Sequence, residues 1–118
     1  VVLFALLIGH AFADYPLQGE FLAKCKNRKM AAAIRDEHEH APVLLWFHCL
    51  TAHALIHAGF VWLVSGVVLL GIVEFVLHWI IDFMKSEGWI NFQVDQSLHV
   101  LCKVGYVIVI YQELPGFS

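Results

Sequence analysis

Charge is what this sequence has least of. Lysine, arginine, aspartate and glutamate make up 14% of its 118 residues, where ordinary soluble domains carry about 25%. At the same time 60% of the residues are hydrophobic, and mean hydropathy is +0.74. A soluble fold of this length has too little polar material to cover that much apolar surface, so an integral membrane protein is expected. There is no broad basic surface either. Seven basic residues against ten acidic ones give a formal charge of −3 with neutral histidine, and nucleic acid is excluded as an expected partner. The three cysteines, Cys25, Cys49 and Cys102, are odd in number and lack CxxC spacing. That speaks against a disulfide framework or a zinc ribbon, and they are expected to be packing residues or free thiols. No HExxH motif occurs, so the chemistry of helical zinc proteases is not indicated. Repeats and low-complexity tracts are absent, and the length allows a single domain over residues 1–118.

Against this apolar background the ionisable residues are regularly spaced. Four apolar stretches each hold a pair one helical turn apart: His10 and Asp14, His53 and His57, His78 and Asp82, and Asp95 and His99. Glu74 extends the third pair by one more turn. A step of four residues turns a helix by only about 40°, so each pair lies on one face. Ionisable residues in membrane helices are costly, and they normally face the bundle interior, where they pair, bind metal or relay protons. A buried polar site assembled from several helices is therefore expected.

The predicted architecture is all-α, a bundle of four transmembrane helices with antiparallel neighbours. The spans are expected at about 1–16, 43–64, 67–84 and 94–111, with a polar connecting segment at 19–40. The first apolar run is short of the roughly 30 Å hydrocarbon thickness. Val rather than Met opens the chain, and the missing turns are expected upstream or through Leu22. Ala11-Phe12-Ala13 resembles a signal-peptidase site, but no basic segment precedes it and His10 is foreign to such a region. Pro16 should end or kink this helix. Pro42 marks a helix start, Ser65-Gly66 a break, Ser86-Glu87-Gly88 a turn, and Pro115-Gly116 a stop. Trp46, Trp62, Trp79, Trp89, Tyr106 and Tyr111 are candidate interfacial anchors. Gly59, Gly66, Gly71 and Gly105, with Ala52, Ala54 and Ala58, are expected to let helices approach closely.

In this topology Lys24, Lys26, Arg28, Lys29 and Lys85 lie on one side. The positive-inside rule then makes the basic connections cytoplasmic and puts both termini outside, with a bacterial inner membrane as the expected location. The pairs His78/Asp82 and Asp95/His99, with Asp14, are expected toward that cytoplasmic end, and His53 and His57 nearer the bilayer middle. His48 falls about 140° from His53 around the helix and misses the ladder face. Lys103 continues it one turn beyond His99 and would neutralise an acid or snorkel. Gln18 and Gln96 are candidate neutral hydrogen-bond partners. His38 and His40, among Asp36, Glu37 and Glu39, read as solvated loop residues.

Taken in order, the segments GHAFADYPLQGEFLAK, HALIHAG, LHWIIDFMK and VDQSLHVL resemble the family called domain of unknown function 3307, uncharacterised membrane proteins of bacteria and phages. The resemblance covers nearly the whole chain. It implies a small helical integral membrane protein, and it brings no established activity or substrate. Its motif residues carry over as His10, Asp14, Gln18, His53, His57, His78, Asp82, Asp95, Gln96 and His99; Glu74 lies outside the pattern.

Imidazole and carboxylate together suit a divalent metal, zinc before iron, manganese, cobalt or nickel. The expected ligands are His10, Asp14, His53, His57, His78, Asp82, Asp95 and His99, enough for one metal or for two bridged by an acid. Asp82, Asp95 and Glu74 are the candidate catalytic carboxylates, an unliganded one acting as general base. The expected function is a metal-dependent hydrolase acting on a membrane lipid, a lipid-linked head group or a membrane peptide. Alternatives are a proton or metal-ion transporter, an accessory or regulatory subunit of a larger membrane complex, a weaker haem-binding bundle, and a hydrogen-bonded core that merely fixes helix register.

Overall fold

The computed structural model describes residues 1–37 and 44–112. His38, Glu39, His40, Pro42 and the Pro115-Gly116 stop lie outside the described residues. The fold is all-α, with six helices among those residues: α1 (Val2–Asp14), α2 (Gly19–Cys25), α3 (Arg28–Glu37), α4 (Leu45–Ser65), α5 (Val68–Ser86) and α6 (Phe92–Tyr111).

Local chemistry explains most boundaries. α1 ends two residues before Pro16, as a ring without an N–H requires. Gly66 caps α4 with φ 72°, a left-handed conformation that glycine adopts without steric cost. This leaves only Gly66-Val67 between α4 and α5. Asn91 caps α6 by accepting a hydrogen bond from the Val94 N–H at 2.8 Å. Asn27 does the same for α3, accepting from the Lys29 N–H at 3.0 Å and the Met30 N–H at 3.3 Å. The segment expected as a polar connection is thus largely two short helices.

Helices α1, α4, α5 and α6 form a ring, α1 touching α4 and α6, and α5 touching α4 and α6. Neighbours run antiparallel: Gly9 meets Phe60, Gly71 meets Trp62, and Glu74 and Asp82 meet Lys103 and His99. A Cβ on Gly71 would stand 3.0 Å from Trp62 Cβ and 3.2 Å from the Ala58 carbonyl. This contact makes α4 and α5 the closest-packed pair, in keeping with the expected role of small residues. Gly59 and Gly105 have nothing within reach of an added Cβ, so close approach does not require them.

Beside an apolar core of Leu6, Val61, Leu70 and Tyr106, the interior buries polar groups that a soluble domain normally leaves at its surface. The interior holds His10, His53, His57, Glu74, His78, Asp82, Asp95, His99 and Lys103, while Phe4, Ile8, Leu55, Leu63, Ile72 and Leu101 point outward. Among the described residues α4 and α6 are long and apolar enough to cross a membrane. α1 is shorter, at 13 residues, and α5 carries Glu74, Asp82 and Lys85.

Two sequence expectations change. Cys25 and Cys49 form a disulfide that ties the end of α2 to α4, and Cys102 alone is a free thiol. The pairing needs α2 and α3 to fold back along α4, a long-range contact that spacing does not encode. Tyr106 is not an interfacial anchor: it is buried, and its hydroxyl donates to Glu74 Oε2 at 2.6 Å. Trp46 and Trp79 instead gather with Phe83, whose ring stacks on Trp79 at 5.4 Å and packs against Trp89 at 5.8 Å.

Candidate metal centre

All eight residues of the four i,i+4 pairs meet in one cluster, because each pair sits on the inward stripe of its own helix. The organising groups are three aspartates. Asp14, at the end of α1, receives three imidazoles through Nε2: His57 at 2.8 Å, His10 at 3.1 Å and His53 at 3.3 Å. Asp82 on α5 lies 3.1 Å from His99 Nε2, 3.2 Å from His53 Nε2 and 3.3 Å from His78 Nε2. Asp95 on α6 is 3.3 Å from the same His99 nitrogen. His53 therefore links Asp14 to Asp82, and His99 links Asp82 to Asp95. All five histidines turn the same nitrogen, Nε2, toward carboxylate oxygens.

Glu74 sits one layer deeper. His78 Nδ1 donates to Glu74 Oε1 at 3.1 Å, and Lys103 Nζ donates to the same oxygen at 2.7 Å. With Tyr106 on the other oxygen, both Glu74 oxygens are engaged. A proton on His78 Nδ1 means that a neutral His78 presents a lone pair at Nε2. That lone pair faces Asp82 Oδ2 at 3.3 Å, and two electron-rich atoms at that distance need a cation between them. A proton is one candidate. An imidazolium at His78 would lie between the Glu74 and Asp82 carboxylates, and its ring stacks on His57 at 3.7 Å and His99 at 4.2 Å, so repulsion of about 4 kcal/mol opposes it only where those rings are charged as well. A metal ion shared by neutral imidazoles is the other candidate.

Atoms left without a hydrogen bond agree with this candidate. Among the described residues, His53 Nε2, His78 Nε2 and Asp95 Oδ1 have partners at 3.2–3.3 Å without hydrogen-bond geometry, and His10 Nδ1, His53 Nδ1 and Gln18 Oε1 have no hydrogen-bond partner either, where nearly all buried polar groups do. The ligand atoms of Asp14, His53, His57 and His78 all lie within 4.8 Å of one another. So do those of Asp82, Asp95 and His99, and those of Glu74, His78 and His99. The first group has the three-histidine, one-carboxylate donor set that would suit zinc.

Of the other predicted residues, Gln96 donates to Asp95 Oδ2 at 3.0 Å and lies 3.3 Å from His10 Nε2. Gln18 instead donates to the main-chain carbonyl of Asp14 at 3.1 Å. His48 is exposed on the outer face of α4. Lys26 was not among the predicted site residues, yet its Nζ lies 3.1 Å from Asp82 Oδ2. Nothing in local spacing marks it, because α2 brings it to the site across 56 residues of sequence.

A family model described as a protein of unknown function, DUF3307, matches residues 2–115. The chain belongs to this family. Within the family match lie all the helices that build the cluster, so the resemblance carried by the His and Asp motifs extends over the whole bundle. No match was found among curated proteins or among solved structures.

Proposed function

We propose that the chain is a four-span integral membrane protein whose buried cluster binds one or two divalent metals, zinc first, and that it hydrolyses a lipid, a lipid-linked head group or a membrane-embedded peptide. The observation that carries this reading is the convergence of five Nε2 atoms on three aspartates at 2.8–3.3 Å, two of those nitrogens, on His53 and His78, without hydrogen-bond geometry to them. So much buried charge is poor value as a mere spacer, since interhelical polar contacts in membranes average only about 0.6 kcal/mol. The outward apolar faces supply the lipid-facing surface such a bundle needs.

Bound metal would supply Lewis acidity and an activated water near neutral pH. Asp14, His53, His57 and His78 form the first ligand group, and Asp82, Asp95 and His99 the second. Asp82 or Asp95, whichever oxygen stays free of metal, is the proton acceptor. Glu74, held by Lys103 and Tyr106, orients His78 rather than meeting substrate. Transport is the weaker reading, because a path must be polar across the bilayer. Beyond Glu74 the interior closes with Leu6, Val61 and Leu70 around Tyr106.

We retain the expected orientation, basic connections in the cytoplasm of a bacterial inner membrane. The Cys25–Cys49 bridge at that same end weighs against it, since disulfides persist in oxidising compartments. The direct test of function is elemental analysis of the purified protein beside His57→Ala, His78→Ala and Asp82→Asn. Stoichiometric metal in the wild type that falls in all three variants is expected. A well-folded wild type without metal refutes the reading and leaves the register-fixing core or the accessory subunit.

A further inference from the structure

The mouth of the cluster carries positive groups that metal ligation does not use. A polar cleft of about 80 Å³ opens between the turn after α1, the end of α5 and the start of α6, lined in part by Asp14, Gln18, Lys26, Asp82, Lys85 and Asp95. Sites that enclose a whole small molecule run to roughly 300–1,000 Å³, so this one suits a single head group. Lys26 approaches from one side, 3.1 Å from Asp82, and Lys85 from another, 3.9 Å from Asp95. Lys26 is held there by its neighbours. Cys25 is bonded to Cys49, the Asn27 amide donates to the Ser86 carbonyl at 3.1 Å, and Arg28 pairs with Glu87 at 2.9 Å. An ammonium fixed in this way is positioned for something other than solvent.

Three carboxylates against two ammonium groups leave the cleft with one excess negative charge, and a single divalent cation reverses its sign. The metal-loaded cleft then attracts an anion. Planar carboxylates favour the fork of arginine, whereas lysines converging from different directions beside a metal suit an oxyanion with several oxygens. We propose that the metal-loaded cleft binds a phosphoryl group, with Lys26 and Lys85 placed to contact its outward oxygens. The exposed rings of Tyr15 and Phe92 flank the opening and would accept apolar substituents of a lipid-borne phosphate.

This inference rests on the metal reading and deepens it. The test uses full-length protein loaded with zinc, its metal content measured in every sample, and follows inorganic phosphate by calorimetry and by ³¹P line broadening. Saturable binding that disappears on chelation is expected, weakened about tenfold or more by Lys26→Gln or Lys85→Gln, the size of one charge-assisted hydrogen bond, with zinc content unchanged. Nanodiscs containing phosphatidic acid, compared with phosphatidylcholine alone, identify the source: competition with inorganic phosphate assigns a lipid head group, and lack of competition assigns a free phosphate. Stoichiometric zinc without phosphate binding, or binding indifferent to both lysine substitutions, overturns the inference while leaving the metal centre standing. Absence of zinc removes the metal centre, and the inference with it.

Discussion

Replacing Glu74 separates two roles that its position combines. The carboxylate neutralises Lys103, a buried ammonium 2.7 Å away, and it holds His78 Nδ1 at 3.1 Å. In Glu74→Gln the amide can still accept one hydrogen bond, but the lysine charge loses its partner. Breaking a buried pair from one side costs about 3–5 kcal/mol, and the low end is expected here because Tyr106 and the amide oxygen remain. Adding Lys103→Met removes the stranded charge at similar volume and should restore most of that loss. The second role does not recover, because a neutral amide accepts from His78 Nδ1 more weakly than a carboxylate does. Weakening the partner that orients a metal-bound histidine is expected to cost about tenfold in affinity, the low end of the range for removing it, or about 1.4 kcal/mol. Stability is read from thermal unfolding of metal-free protein in detergent, and affinity from competition with a chromophoric chelator. The single variant should lose both quantities, and the double variant only affinity. A double variant with wild-type metal affinity, or one no more stable than the single, would refute the assignment of Glu74.

Other consequences are independent of that site. Gly71→Val should destabilise the bundle by about 1–3 kcal/mol through overpacking against Trp62 and Ala58, whereas Gly59→Ala and Gly105→Ala should leave the melting temperature nearly unchanged. Mass-tagging with maleimide on denatured, unreduced protein should modify Cys102 alone, with Cys25 and Cys49 becoming reactive only after reduction; three reactive thiols before reduction would contradict the pairing. Alkaline phosphatase fused after Gln112 should be active and a fluorescent protein there dark, as the basic connections require. The reverse pattern would put the site and the disulfide on the oxidising side.

The sequence disclosed the site more fully than the surrounding chain, for a physical reason. Helical periodicity is local, so His53 and His57, or Asp95 and His99, identify a shared face without any knowledge of the fold. Low tolerance of charge in apolar helices then implies that these faces turn inward. Lys103 and Tyr106 continue the α6 face at steps of four and three residues; the lysine is readable on that pattern, whereas the tyrosine's place near the helix end makes it resemble an interfacial anchor. Lys26 and the Cys25–Cys49 bridge were invisible. Both depend on α2 and α3 folding back across α4 and the end of α5, a long-range placement with no signature in residue spacing. The helix limits were nearly legible because Pro16, Gly66 and Asn91 act on backbone geometry at their own positions.

The central claim is that imidazoles and carboxylates from α1, α4, α5 and α6 share a metal ion. X-ray absorption at the zinc edge of the loaded protein tests it most directly. The account predicts a first shell of about four nitrogen and oxygen neighbours at about 2.0–2.2 Å, with the outer scattering of at least two imidazole rings, diminished in His57→Ala. A shell containing sulfur, or oxygen neighbours alone without imidazole scattering, would contradict it.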